Sequence, residues 1–337
     1  MKIDAGLMFQ ELSVLPARVR ELERTGYDGL ASAEIANDPF LPLVLAAEHS
    51  ERMELSTSIA VAFARNPMLL AQTAHDLNAW SRGRMILGLG SQIRAHVTRR
   101  FSMPWSRPAA RMREFIQAMR AIWACWYEGT QLAFRGEFYA HTLMTPMFTP
   151  AERSFGAPRV FLAAVGPRMT EVAGEVADGL IAHGFTTDRY FREVTLPAVQ
   201  RGLAASGRAR SSFAIQCPVF VATGESEAEI RQACDRVRAQ IAFYGSTPAY
   251  RGVLELHGWG ALQDELNLLA KHGRWAEMGG LVDDEVLRAF AVVGPWDEAL
   301  RGLRARAAAG IDRLLCTFDL GRGESAAGRV EELRLAR

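Results

Sequence analysis

The sequence predicts an α/β fold, a closed (β/α)8 TIM barrel with two insertions. Three observations support this. Short apolar, β-rich runs alternate with longer amphipathic ones along the 337 residues, the pattern of parallel strands joined by helical crossovers. The alternation repeats eight times, the number at which such a sheet closes on itself. Several runs (MILGLG, VFLAAV, RLLCTF) are apolar without alternation, as expected for strands covered on both faces. An open doubly wound sheet is the competing arrangement; strand count and chain length favour closure.

The strands are expected near residues 2–8, 28–33, 54–61 and 84–90, then 159–163, 179–183, 213–223 and 312–318. Helical patterns occupy 16–25, 41–51 and 68–80 between the early strands. In the first, Leu12, Leu15, Val19 and Leu22 recur at three- and four-residue steps, which puts them on one buried face. Two stretches depart from the repeat. Residues 128–156 are rich in Phe, Tyr, Pro and Gly and read as an insertion between the fourth and fifth strands. Residues 238–284, with Tyr244, Tyr250, Trp259 and Trp275, read as short helical pieces between the seventh and eighth. Long insertions in compact domains usually act as lids or interfaces, and in a barrel they are expected over the C-terminal face, where active sites sit. No linker or low-complexity break appears, so residues 1–337 read as one domain.

Composition narrows the function. Half of the chain (49%) is hydrophobic and 23% is charged, enough apolar material for a large core. Lys plus Arg is 39 against 38 for Asp plus Glu, a formal net charge of +1. That leaves no basic surplus to neutralise a phosphate backbone, so nucleic-acid binding is disfavoured. Lys occurs only at positions 2 and 271, a bias that genome composition explains as well as function does. The start MKIDAGLMF lacks a signal-peptide pattern, and no apolar run is long enough to span a bilayer. Cys125, Cys217, Cys234 and Cys316 are scattered without CxxC spacing, so neither disulfides nor a zinc knuckle is suggested. The expectation is a soluble cytoplasmic protein with no membrane partner.

The sharpest local signal is FLAAVGPRMTEVAGEVADG at 161–179. An apolar strand ends in Ala163 and Ala164, and Gly166 lets the backbone turn or approach a ligand closely. Pro167 suits the first turn of a helix. Such a helix start leaves amides free for an anion, and Thr170 can add a hydroxyl. An ordinary strand-to-helix turn has the same pattern. In ILGLGSQ, at 86–92, two glycines precede Ser91 and Gln92, which would project at the barrel mouth with groups suited to a heterocycle's edge. Arg94, Arg99, Arg100 and Arg107 follow and could meet an anionic tail, although a solvated basic face is the commoner fate of such a run.

Glu34 ends the second strand, where a carboxylate reads as catalytic or ligand-orienting or as a cap on the turn to Asn37, Asp38 and Pro39. The histidines make no HxH or HExxH spacing, so no metal site is expected. His183, at the end of the sixth strand, is the best placed of them, against the competing reading of a packed core histidine. No GxSxG stands beside a His/Asp set, and no carboxylate pair suggests acid hydrolysis. Met8, Phe9, Phe63, Trp105 and Met144 are candidates to line an apolar mouth, or equally to be core packing.

Taken together, GYDGLASAE, LSTSIAVAFARNP, GRMILGLGSQ and VFLAAVGPRMTEVAGEVADGL resemble the bacterial luciferase-like family of flavin- and deazaflavin-dependent oxidoreductases. The resemblance runs over nearly the whole chain and rests on the order and spacing of the four segments. HTLMTPMF, AFYGSTPAYRGVLELHGWG and FAVVGPWDEA look more like the subgroup assigned to the deazaflavin coenzyme F420. The resemblance implies a non-proline cis peptide at Ser58–Ile59 supporting the ring, a kind of bond rare enough to mark a special site. It implies that Ser91 and Gln92 lie near the ring or its side chain. It also implies that Val165, Gly166 and neighbouring amides, including that of Ala164, hold the cofactor phosphate. Many relatives carry an acid followed by His at the end of the second strand. Here Ile35 follows Glu34, so Glu34 becomes the first candidate for proton transfer, with His183 and His141 in reserve.

The reading that follows is hydride transfer between F420 and a small organic substrate held beneath the insertions, with the cofactor carrying the chemistry. The alternative is a monooxygenase using reduced FMN and dioxygen, fed by a separate reductase. A non-catalytic flavin-binding barrel is the third. The family resemblance further implies a homodimer, with the apolar helices flanking strands three and four as its interface.

Overall fold

The chain begins on β1 (Lys2–Leu7) and returns to its side with β8 (Arg313–Cys316), each in parallel register with the other. The computed structural model describes residues 1–7, 11–318, 320–321 and 323–335. Between those strands run β2 (Gly29–Ser32), β3 (Glu54–Thr57), β4 (Met85–Gly90), β5 (Arg159–Ala164), β6 (Gly179–Ala182) and β7 (Ala214–Pro218). Every neighbouring pair is parallel, and Leu55 and Ser56 of β3 pair with Met85 and Ile86 of β4 to close the ring. The predicted barrel is therefore present, with all eight strands where the apolar runs placed them. The third, seventh and eighth are clearly shorter than expected, the third ending at Thr57, the seventh at Pro218 and the eighth at Cys316. Pro218 offers no amide to extend the ladder, and Phe220–Ala222 instead pairs with Ala291–Val293 in a separate two-strand ladder.

Alternation sorts the strand residues by face. Leu30, Leu55, Leu87, Leu89, Val160, Leu162, Leu180 and Ile215 turn outward into one core with the surrounding helices. The interior is closed from below by charge. Arg313 donates to both carboxylate oxygens of Asp4 at 2.8 and 2.6 Å and pairs with Glu54, and Gln216 donates to Asp4 at 2.7 Å. Above this plug lie Ile86, Phe161 and Ile181. Higher on the same face stand the small residues Gly6, Ala31, Gly88 and Ala163. At Gly88 a Cβ would run into the Thr57 carbonyl and the Ile181 side chain, so close approach demands the glycine. The barrel is solid at its base and widens toward the C-terminal ends of its strands.

Helices α1 (Leu15–Thr25), α2 (Leu41–Glu48), α3 (Pro67–Trp80) and α4 (Pro108–Glu128) cover the first half. Leu15, Val19 and Leu22 are buried on α1 as its periodicity requires, but Leu12 precedes the helix and is 43% exposed. The first turn of α3 is capped by Asn66, which accepts from the Met68 amide at 2.8 Å. The second half carries α5 (Pro167–Val176), α6 (Leu196–Ala205, preceded by a π-helical turn), α7 (Glu227–Gly245), α8 (Gly260–Lys271), α9 (Asp284–Phe290), α10 (Trp296–Ala308) and α11 (Gly323–Arg334). No helix among the described residues is long and apolar enough to cross a membrane.

The two insertions behave differently. The one read at 128–156 leaves from the C-terminal end of α4, which lies at the base of the barrel because crossover helices run opposite to the strands. It then folds back along α4 as a hairpin (Phe134–Arg135 with Ala140–His141). The Glu114 carboxylate accepts from the amides of Glu137, Phe138 and Tyr139. The segment is therefore a strap along the outside of α4, its hairpin tip held at the first turns of that helix. Met144 goes with it: its sulfur takes the indole N–H of Trp126 at 3.4 Å, among the α3–α4 packing. The second insertion begins earlier than residue 238, since α7 already runs from Glu227. It leaves from the C-terminal end of β7 and builds its own core from Phe220, Val237, Ile241, Leu254, Leu266, Leu287 and Phe290 against Phe185 and Tyr190. Arg306 anchors it, donating to the carbonyls of Phe290 (2.7 Å) and Ala289 (3.1 Å) while pairing with Asp188.

Candidate active site

The C-terminal mouth is assembled from the ends of β2 to β6. At β3 the chain turns through Ser58–Ile59, and this peptide bond is cis, as the family resemblance implies. Ala60–Val61 then resumes pairing beside Leu89 and Gly90 of β4. Ile59 packs so closely on Gly90 that a Cβ there would overlap its side chain. Glu34 straps the turn from β2. Its amide donates to the Ile59 carbonyl at 3.3 Å, and its Oε2 accepts from the Val61 amide at 2.7 Å and from Arg65 at 2.6 Å. The carboxylate is 7% exposed, and Arg65 also holds Asp38 at 3.2 Å. This geometry suits a positioning residue, with Oε2 committed to two hydrogen bonds. Arg65 was silent in the sequence: it lies inside LSTSIAVAFARNP, but only the fold brings it to Glu34. Ile35, where many relatives have His, is an exposed residue whose carbonyl accepts from Arg100.

On β4, Ser91 and Gln92 stand partly exposed just past the strand. The Ser91 hydroxyl donates to the Gln92 carbonyl at 3.1 Å, and Gln92 Oε1 accepts from the Ile93 amide at 3.0 Å. Gln92 has φ +59°, a left-handed conformation uncommon for a side-chain-bearing residue. With Oε1 so engaged, its NH2 group remains to be offered outward. Of the four arginines that follow, Arg100 is spent on Ile35 and lies over the Phe101 ring, and Arg107 pairs with Glu137 over the Phe138 ring. Arg94 and Arg99 are exposed and make no ion pair among the described residues.

The turn from β5 to α5 is an amide cradle. None of the amides of Val165, Gly166, Arg168 or Met169 donates to a backbone carbonyl, and Pro167 has no N–H to place. Gly166 has an ordinary φ of −79°, and a Cβ built on it would meet nothing within 4 Å. The chain itself therefore does not require glycine there, whereas a ligand seated against the backbone would. A phosphate group fits this turn. Thr170 does not line it: its hydroxyl donates to the Gly166 carbonyl at 3.0 Å and the residue is 1% exposed. A helical threonine reaches back to the carbonyl four residues earlier, so Thr170 holds the loop from beneath. Ala164 is buried as the last residue of β5. Tyr190 reaches across to donate to the Val165 carbonyl at 3.3 Å, a support with no sequence signal.

His183 follows β6 directly. Its Nδ1 accepts from the Phe185 amide at 2.9 Å. Burial pulls its pKa down to about 4, so the ring is neutral near pH 7, with its proton on Nε2. His141 lies in the hairpin beside α4, with its Nε2 buried and without a partner among the described residues. Phe63 and Trp105 meet edge to face at 5.7 Å, with Arg111 over the Phe63 ring at 4.4 Å. Phe63 is fully buried and is core packing, whereas Trp105, in the loop before α4, is only partly buried. Met8 and Phe9 lie outside the described residues. Among the described residues no three His, Cys, Asp or Glu side chains gather to hold a metal ion.

Residues 3–313 match the family of luciferase-like monooxygenases. An uncharacterized protein of Mycobacterium tuberculosis is 55% identical over 334 residues, 99% of this chain and 98% of its own. A putative coenzyme F420-dependent oxidoreductase of the same organism is 26% identical over 336 residues, 94% and 91% of the two chains. Among solved structures, coenzyme F420 dependent tetrahydromethanopterin reductase from Methanopyrus kandleri superposes with a TM-score of 0.79 at 18% identity, covering 98% and 97%. The oxygenating constituent of 3,6-diketocamphane monooxygenase from Pseudomonas putida, in complex with FMN, superposes at 0.65 with 15% identity, covering 94% and 91%. Both structures share the barrel.

Proposed function

The chain belongs to the luciferase-like monooxygenase family, and from that premise we propose that it transfers a hydride between the deazaflavin coenzyme F420 and a small organic substrate. The observation that carries this is the amide cradle at Gly166, open on the mouth side and shaped for a phosphate. The sequence segments of the F420 subgroup, and the relative of that name, favour the deazaflavin over FMN.

In this reading the amides of Val165, Gly166, Arg168 and Met169 hold the phosphate, with Thr170 and Tyr190 fixing the loop. The Ser58–Ile59 turn, kept in place by Glu34, supports the ring, and Ser91 and Gln92 offer polar groups to its edge. The bound deazaflavin would supply hydride transfer. The protein's own work is to bind, orient and exclude water. His183, neutral and directed by Phe185, presents an N–H at the mouth. We further propose that two copies associate through α2 and α3, whose Leu41, Val44 and Leu69 are exposed.

Calorimetric or fluorescence titration with F420, and separately with FMN, tests the reading. Micromolar binding of F420 with weaker FMN binding is expected. The reverse preference overturns it in favour of an oxygen-using monooxygenase served by a separate reductase. Binding of neither overturns it in favour of a non-catalytic barrel.

A further inference from the structure

The turn between β5 and α5 is held from behind by the next crossover. Tyr190 lies in the single helical turn Asp188–Tyr190 that follows β6. It is 5% exposed and donates its hydroxyl proton to the Val165 carbonyl at 3.3 Å. That carbonyl and the Gly166 amide are the two ends of one peptide plane, and the bond between them is trans. In a trans peptide the C=O and the N–H point in opposite directions. A donor fixed behind the carbonyl therefore aims the Gly166 N–H away from Tyr190 and polarises it as a donor in its own right. In the following plane, the Gly166 carbonyl accepts both the amide and the hydroxyl of Thr170. Both planes that meet at Gly166 are thus tied to the chain, while its N–H finds no acceptor among the described residues.

Tyr190 is in turn held by the second insertion. Its ring packs in the insertion's core with Val237, Ile241 and Leu254, and a Cβ on Gly252 would come within 3.9 Å of its hydroxyl. Its amide donates to Thr187 Oγ1 at 3.1 Å, which leaves the Thr187 proton for His257 Nε2 at 2.8 Å. His257 follows the short helix Arg251–Glu255 and stacks on Trp259, the rings 4.4 Å apart and within 10° of parallel. Asp188, between Thr187 and Tyr190, pairs with Arg306, the anchor of the insertion. Thr187 is 2% exposed, so water competes little for its two bonds and they hold more firmly than surface ones.

We propose that Tyr190 is a positioning residue for the cofactor phosphate, and that the second insertion sets phosphate affinity through the chain His257–Thr187–Tyr190–Val165. The proposal rests on the reading of the turn as the phosphate seat and adds what aims its central amide.

The probes are F420 and the same deazaflavin with its ribityl chain but no phosphate, and the readout is the ratio of their affinities by fluorescence titration. The unmodified protein is expected to bind F420 at least about tenfold more tightly than the phosphate-free compound. Tyr190→Phe keeps the ring in its core and should weaken F420 about three- to tenfold while leaving the phosphate-free compound unchanged. Thr187→Val should act in the same direction, and Thr187→Ser, which keeps the hydroxyl, should retain the affinity of the unmodified protein. In protein labelled with 15N in glycine, inorganic phosphate should shift the Gly166 amide resonance, and the shift should shrink in Tyr190→Phe. Equal weakening of both compounds by the variants would reduce these residues to a purely structural role and overturn the proposal. So would a Tyr190→Phe protein with unchanged F420 affinity and an unmoved Gly166 resonance. Equal binding of the two compounds by the unmodified protein overturns the phosphate seat itself, and this proposal with it, so the two failures are distinguishable.

Discussion

The carboxylate of Glu34 accepts the amide proton of Val61 at 2.7 Å, from the far side of the Ser58–Ile59 turn. Because the Glu34 amide also donates to the Ile59 carbonyl, one residue at the end of β2 holds the turn on both flanks. Glu34→Ala would leave the Val61 amide unpaired and would take from Arg65 its less exposed partner. The expected loss of stability is about 2–3 kcal/mol by denaturant midpoint. A positioning role predicts that Glu34→Gln, which keeps an acceptor for Val61, retains most of the cofactor affinity that Glu34→Ala loses. If both variants bind cofactor normally but lose turnover equally, Glu34 handles a proton instead.

Gly166→Ala separates fold from ligand. The backbone there is ordinary and the added methyl meets nothing in the chain, so thermal unfolding should move by less than about 1 kcal/mol, the scale of a glycine cap replaced by alanine. Affinity for a phosphate-bearing cofactor should fall at least about tenfold, read by titration. Unchanged affinity would remove the cradle from the site.

The plug beneath the barrel makes stability depend on acid. Burial by itself would raise the Glu54 pKa, but attraction to Arg313, the Lys2 hydrogen bond and the charge of Arg159 outweigh it and pull the pKa down to about 2. A carboxyl with a depressed folded-state pKa contributes fully above its unfolded value of 4.5, and the contribution is lost as pH falls from there toward 2. The stake is on the order of 3 kcal/mol. Glu54→Gln should flatten the stability profile in that window, measured by urea unfolding at several pH values. Arg313→Met leaves the carboxylate of Asp4 buried without its guanidinium and should cost about 3–5 kcal/mol.

His183 acts over a higher window with the same sign. Burial lowers its folded-state pKa from 6.5 to about 4, so the neutral ring contributes stability above pH 6.5, lost on acidification toward 4. Its imidazole carbon resonance should stay at the neutral position down to about pH 5. Titration near 6.5 would mean that the ring is open to water.

Leu69 of α3 is 61% exposed, and Leu41 (57%) and Val44 (44%) of the neighbouring α2 are exposed as well. Light scattering should find a particle of twice 37.2 kDa. Leu69→Asp, a charge placed on that face, should shift it toward the monomer. A monomeric parent protein would end the association proposal.

The eight apolar runs, their alternation with amphipathic helices, and Pro167 and Gly166 at the start of α5 were all readable one residue at a time, because each reports a local preference of backbone or burial. Those preferences determined the barrel and the turn that can hold a phosphate. Partnerships were not readable. Thr170 looked like a ligand and bonds Gly166 instead; Arg107 was a candidate for an anionic tail and pairs with Glu137. The composition of 128–156 marked it as irregular but carried no information about which helix it would pack along. That followed from where α4 ends. Arg65 met Glu34, and Tyr244 and Tyr250 met His183, only when the closing of the barrel brought distant segments to one face. Hydrogen bonds and ring contacts between segments so far apart depend on the closed register of the sheet, and only the tertiary structure decides that register.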